Sequence, residues 1–182
     1  MKKSILTSTT LALVLLTLVS CTNNENGAPG MTVHAAVFTG NLKAVERHIK
    51  AKTDLNTKDE YGSTPLSIAA TFGKTEIAKK LVLAGANLNE TSADGSTSLH
   101  TAAFFGRIEM VKIILENGVN TSLKNSYGIT ALESVSSPFE QVKPVYDQLA
   151  KDLGPLGLKL DYEKLQEVRP LIAEMISKAE SK

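Results

Sequence analysis

Side chains able to do chemistry are few in this chain: one cysteine, three histidines and dispersed carboxylates. Cys21 is the sole thiol, so no intramolecular disulfide can form and stability has to come from packing. His48 has no partner at ligand spacing, so neither a metal nor a cofactor is expected. Asp59 and Asp94 sit next to glycine-containing turns, where loop chemistry explains a carboxylate before acid–base work does. The chain contains no Gly-x-Ser-x-Gly elbow, no phosphate-cradling loop of the Walker type and no His-Glu-x-x-His helix. The negative evidence favours a non-enzyme.

The elements that would position these residues are written in a repeat. Gly40, Gly73 and Gly106 fall at one constant step, as do Gly62, Gly95 and Gly128. Asp54, Asn87 and Asn120 keep that step, and so do Thr64, Thr97 and Thr130. A period of this length predicts one helix–turn–helix unit stacked on copies of itself. Thr64 and Thr97 can cap a first helix, with Pro65 in its first turn. Ala69-Ala70 and Ala102-Ala103 allow close helix approach, and Gly73 and Gly106 end the helix. Ile77, Leu81 and Val82, like Met110, Ile114 and Leu115, place apolar groups at helical spacing on a second helix, stopped by Gly85 or Gly118.

Asp59-Glu60-Tyr61-Gly62-Ser63-Thr64-Pro65-Leu66-Ser67-Ile68-Ala69-Ala70-Thr71-Phe72-Gly73, continued by Gly85-Ala86-Asn87-Leu88-Asn89, resembles the ankyrin repeat. A second copy runs from Asp94-Gly95-Ser96-Thr97-Ser98-Leu99-His100 to Gly118-Val119-Asn120, and Val33 to Gly40 matches the interior of a unit. A last unit opens at Tyr127-Gly128-Ile129-Thr130-Ala131-Leu132 and then departs from the pattern. The resemblance implies an all-α solenoid of about four stacked helix–turn–helix units with β-hairpin-like loops over residues 31–137. It also implies that His34 and His100 hydrogen-bond neighbouring loops.

The N-terminus reads differently. Lys2 and Lys3 precede an apolar stretch from Leu11 to Val19, short for a membrane span. It ends in Leu18-Val19-Ser20-Cys21, which resembles the lipobox of a bacterial lipoprotein, where small residues precede the cut and the thiol receives a diacylglycerol. Residues 1–20 are expected as signal peptide and 21–30 as a flexible tether from lipidated Cys21. The mature chain would run from Cys21 to Lys182 with a formal charge of −1 (20 − 2 = 18 basic against 19 acidic). A near-neutral domain argues against nucleic acid, which needs a basic stripe. Thr22 after the cysteine favours, by the same resemblance, the outer membrane of a Gram-negative envelope.

Both ends of a stack need closing. In the first unit His48 takes the column of Leu81 and Ile114, and Lys52 replaces a glycine, which predicts a polar outer face. Residues 138–182 are expected as a helical cap. Ser137-Pro138-Phe139-Glu140 has capping-box spacing, followed by Val142, Val145, Tyr146 and Leu149 on one face. After Gly154-Pro155-Leu156-Gly157, Asp161 can cap a last helix whose apolar stripe is Leu165, Val168, Ile172, Met175 and Ile176. That stripe either covers the stack or serves a dimer or membrane surface; covering is favoured, and the chain is expected to be monomeric.

By the ankyrin resemblance, a protein partner would meet the hairpin tips, with Tyr61, Asp94 and Tyr127, and the first helices, with Phe38, Ile68, Phe72, Thr101, Phe104 and Phe105. The phenylalanines read equally well as interface anchors or as padding between helices, whereas Tyr61 and Tyr127 read as exposed. The expected function is non-catalytic protein binding at the bacterial envelope, as an adaptor or a factor supporting a periplasmic enzyme, oxidative-stress defence included. An immunity protein against a periplasm-directed toxin is the alternative, and a hydrolase site in the C-terminal region a distant one.

Overall fold

Threonine sets the start of each inner helix. Thr32, Thr64, Thr97 and Thr130 are extended, and each side chain accepts the N–H three residues on. Each such cap is worth about 1 kcal/mol. They open α1 (Val33–Phe38), α3 (Pro65–Thr71), α5 (Ser98–Phe104) and α7 (Ala131–Ser136). The computed structural model describes residues 30–181. A turn closed by glycine returns the chain into α2 (Leu42–Lys50), α4 (Thr75–Leu83) and α6 (Ile108–Glu116). Gly106 has φ +66°, and a Cβ there would come within 2.9 Å of Leu165 and Val168, so only glycine fits.

The helices stack in two rows. α1, α3, α5 and α7 pack successively as the inner row, and α2, α4 and α6 as the outer row. Ala36, Ala69, Ala70, Ala102, Ala103 and Ala131 are buried between them, where any larger side chain would hold the helices apart. Val45, Leu81 and Ile114 fill the outer row's core side. Among the described residues no strand forms, and the hairpin loops hold one isolated antiparallel bridge, Thr91 with Thr97.

Side chains ladder the loops. Asp54, Asn87 and Asn120 each close a turn by accepting the N–H two residues on. Asn56 then accepts from Asn87 N–H at 2.7 Å, and Asn89 from Asn120 N–H at 2.9 Å, tying each unit to the next. His34 Nε2 bonds Thr57 O at 2.9 Å and His100 Nε2 bonds Ile129 O at 3.1 Å. Ser67, in the same column, is too short to cross and bonds Thr64 O instead.

The first unit corrects one expectation. His48 lies inside, not on a polar outer face, because both ring nitrogens find partners: Thr53 Oγ1 at 3.1 Å and Met31 O at 2.9 Å. A carbonyl only accepts, so Nε2 carries the proton. Lys52 takes the left-handed conformation, φ +55°, at the column where Gly85 and Gly118 stand.

At the other end α7 is followed by α8 (Phe139–Leu153), a 3₁₀ turn (Gly154–Leu156) and α9 (Tyr162–Glu180). It is α9 that packs on α7 and α6 and continues the outer row. Asp161 caps it, and Leu165, Val168, Ile172 and Ile176 bury its stripe. The capping box at Ser137 does not form. Pro138 holds the N-cap place, and Ser137 Oγ donates back to Glu133 O at the end of α7. On α8 only Tyr146 is fully buried, while Val145 is exposed. Phe139 packs against Tyr146 and Tyr162, and the Tyr162 hydroxyl donates to Asp147, so aromatic contacts and not a broad apolar face hold the helix.

Candidate functional site

The hairpin tips and the inner helices carry most of the residues that could meet a partner, and the structure sorts them. Tyr61 and Tyr127 are each 76% exposed at their tips. Their loops are held by Asp59, accepting from Tyr61 and Ser63 N–H, and by Asn125, accepting from Tyr127 and Ile129 N–H. Asp94, between them in the stack, is exposed, with its carboxylate bonded to Ser96 N–H and Oγ. Its own carbonyl accepts from Ser126 N–H at 2.9 Å, which fixes the spacing of neighbouring tips. All three therefore project from rigid loops.

On the inner helices the outcome is mixed. Thr101 is half-buried and donates to Thr97 O. Ile68 and Phe105, at 8% exposure each, belong to the interior in this structure and offer a partner almost no surface. Ile68 joins the common core from α3, and Phe105, the C-cap of α5, packs edge-on against Phe104. Phe38 is 37% exposed and meets half-buried Phe72 edge-on, ring centres 5.0 Å apart. Phe104 meets Phe105 edge-on at 5.3 Å, but its face is stacked on Tyr146 of α8 at 4.4 Å. Exposure and padding thus divide the phenylalanines between them. Cys21 lies outside the described residues.

Three donors that shape this face were not anticipated. Arg107 reaches back over the end of α3, with Nη2 to Thr71 O at 2.9 Å and Nε to Ala70 O at 3.3 Å. The Tyr146 hydroxyl donates to Phe104 O, the last carbonyl of α5. Arg169, only 3% exposed, donates to Ser134 O at 3.1 Å, Ser137 O at 2.7 Å and Tyr146 Oη at 3.1 Å. Each supplies hydrogen to carbonyls that a helix leaves unpaired at its C-terminus. Burial and the nearby Arg169 act oppositely on Tyr146, and burial wins, holding its phenol above the ordinary value. The signal for Arg169 was present: it is the one charge on an otherwise apolar stripe.

Chemistry elsewhere is sparse. A cavity of about 440 Å³ lies where α7 and α8 meet α9, lined by Ser136, Ser137, Phe139, Gln166, Arg169 and Pro170 among others. Both serine hydroxyls are spent on backbone carbonyls, Leu132 O and Glu133 O, and no histidine or carboxylate lines it. Burial lowers the His100 pKa, and its Nδ1 accepts Thr97 N–H at 3.2 Å, so the ring is neutral and structural. Among the described residues no group of three or more His, Cys, Asp or Glu could hold a metal ion, and no helix is long and apolar enough to cross a membrane.

Comparison with known proteins agrees with this architecture. Protein phosphatase 1 regulatory subunit 27 of Homo sapiens and of Mus musculus are each 42% identical to the chain over 50 residues, 28% of this chain. The match spans only about a third (32%) of the length of those relatives. The family model for ankyrin repeats matches in three copies over residues 33–125, just over half of the sequence. With that match and this two-row stack, the chain belongs to the ankyrin-repeat family.

Proposed function

We propose that this chain is a non-catalytic, protein-binding ankyrin-repeat lipoprotein of the bacterial envelope, held to the membrane through lipidated Cys21 and serving as an adaptor or regulator of an envelope protein. One observation carries the binding part. Tyr61, Asp94 and Tyr127 recur at the step of the repeat, exposed, on loops whose backbone is already hydrogen-bonded. Exposed tyrosines on pre-ordered loops bury large area at small entropic cost, which suits interface anchors. The regulatory role printed in the relatives' name suits a protein-binding surface of this kind, although the 50 residues they share are too few to include all three tips. The anchor rests on Leu18-Val19-Ser20-Cys21 after Lys2, Lys3 and an apolar run.

The test is a crosslinked pull-down from the native envelope with the wild-type chain and with Tyr61→Ala/Tyr127→Ala, whose melting should be unchanged. A protein captured by the first and lost from the second supports the reading. Equal capture by both places the contact away from the tips, and no capture by either removes the adaptor role. Cys21→Ser should abolish lipid labelling and free the domain from membranes; unchanged membrane association sinks the anchor.

A further inference from the structure

Charge is sorted along the outer row, although the chain as a whole is near neutral. The exposed charges of α2 are Lys43, Arg47 and Lys50 against Glu46, net +2, and those of α4 are Lys79 and Lys80 against Glu76, net +1. α6 exposes Lys112 against Glu109 and Glu116, net −1. α9 exposes Lys164 and Lys178 against Glu163, Glu167, Glu174 and Glu180, net −2. Glu46 is taken by Lys80 at 2.9 Å, and Lys43, Arg47, Lys50 and Lys79 join no ion pair among the described residues. Lys112, Lys164 and Lys178, by contrast, are paired within their own helices. Lys43, Arg47 and Lys50 share one face of α2, opposite the buried Ala44, Val45 and His48. Leu83, 70% exposed, stands on α4 at the repeat position of Lys50 and sets an apolar group beside them.

We propose that this basic outer face of α2, with Leu83 of α4 beside it, lies on the anionic headgroups of the membrane that holds the lipid of Cys21. The proposal rests on the lipid-anchor reading and adds the surface that the domain turns to the membrane. The tether decides which end of the stack is held down. Residues 22–30 reach about 30 Å when fully extended. They lead to α2, because Met31 O accepts from His48 Nε2 at 2.9 Å. The row then runs α2, α4, α6, α9. Helices pack about 8–10 Å apart, so α9 stands about 25–30 Å beyond α2. The end held closest is therefore the basic one. Lysine and arginine are drawn to anionic lipid within about a Debye length, ~8 Å at physiological salt, and an exposed leucine can enter the interface. The acidic α6 and α9 are repelled, which stands the tail end of the stack away from the surface.

The test uses the full lipidated chain in phosphatidylcholine vesicles and in vesicles of phosphatidylcholine and phosphatidylglycerol at about three to one. A fluorophore on Ala51→Cys or on Ser177→Cys is read against nitroxide-labelled headgroups; both positions are exposed and uncharged. Residue 51 should be quenched in the anionic vesicles and released in neutral ones. It should also be released at about 1 M salt, where the screening length falls to about 3 Å. Residue 177 should stay unquenched throughout. Lys43→Gln/Arg47→Gln/Lys50→Gln should lose the quenching at residue 51, while Lys164→Gln/Lys178→Gln, the control for net charge, should keep it. If the triple variant melts lower, the salt and lipid dependence of the unaltered face decides. Equal quenching of residue 51 in both vesicles, its survival in a folded triple variant, or quenching of residue 177 overturns the proposal. A chain that fails to float with neutral vesicles refutes the anchor and this orientation with it. A chain that floats without the anionic response refutes the orientation alone.

Discussion

In the two middle units an outer helix follows its inner helix after residues 72–74 or 105–107, and from the second of these turns Arg107 reaches back to close α3. The last unit does the same job by other means. Its outer-row helix α9 arrives only after residues 137–161, which hold α8 and the 3₁₀ turn, and its closing donors are Arg169 and Tyr146. Regular units repeat a local solution. The tail rebuilds it from side chains distant in sequence, so its stability is concentrated in fewer of them.

That contrast can be broken most directly at Arg169. Arg169→Ala leaves the buried Ser134 carbonyl, the half-buried Ser137 carbonyl and the Tyr146 hydroxyl short of a donor and should cost about 3 kcal/mol in denaturant unfolding. Arg169→Lys should recover less than half, since an ammonium cannot copy the fork. A loss below about 0.5 kcal/mol would show that the tail does not depend on it. Gly106→Ala comes next. Positive φ and the contact with Leu165 and Val168 should cost about 2–3 kcal/mol, against about 1 kcal/mol for Gly40→Ala, which meets only the flexible Lys74 chain. Equal costs would mean that α9 is not pressed against the turn.

Tyr146→Phe keeps the stack on Phe104 and loses the hydroxyl bonds, for about 1 kcal/mol. It sharpens the comparison, because Arg107→Ala in a regular unit should cost about the same or more. The smallest effect is at His100. Its folded pKa is lowered by burial, so the unfolded chain binds more protons, and the stability it contributes is present above the ordinary histidine value of 6.5 and lost as pH falls through the lowered value. His100→Gln should flatten that acid limb by a fraction of a kcal/mol, read from melts at stepped pH. An unchanged limb would assign the acid loss to other groups.

Local rules account for what could be read in advance. A threonine cap needs only the N–H three residues on, and a left-handed glycine only its own missing Cβ, so inner helices and their turns followed from the constant step of the repeat. The asparagine ties between loops emerged only in the stack. The capping box at Ser137 failed because Pro138 took the N-cap place, one residue later than the spacing suggested, and the Ser137 hydroxyl turned back to donate to Glu133 O. His48 looked like a surface substitution until Met31 O and Thr53 came to meet it.

By itself, then, the sequence determined the repeat, its helix boundaries and which tyrosines crown the loops, since those depend on neighbours within one turn or one unit. Only the tertiary structure decided that Phe105 is buried while Phe38 faces out, that Tyr146 covers Phe104, and that Arg169 closes α7. Burial and hydrogen bonding at those positions are set by side chains far away along the chain, whose approach is a property of the folded stack and not of any local segment.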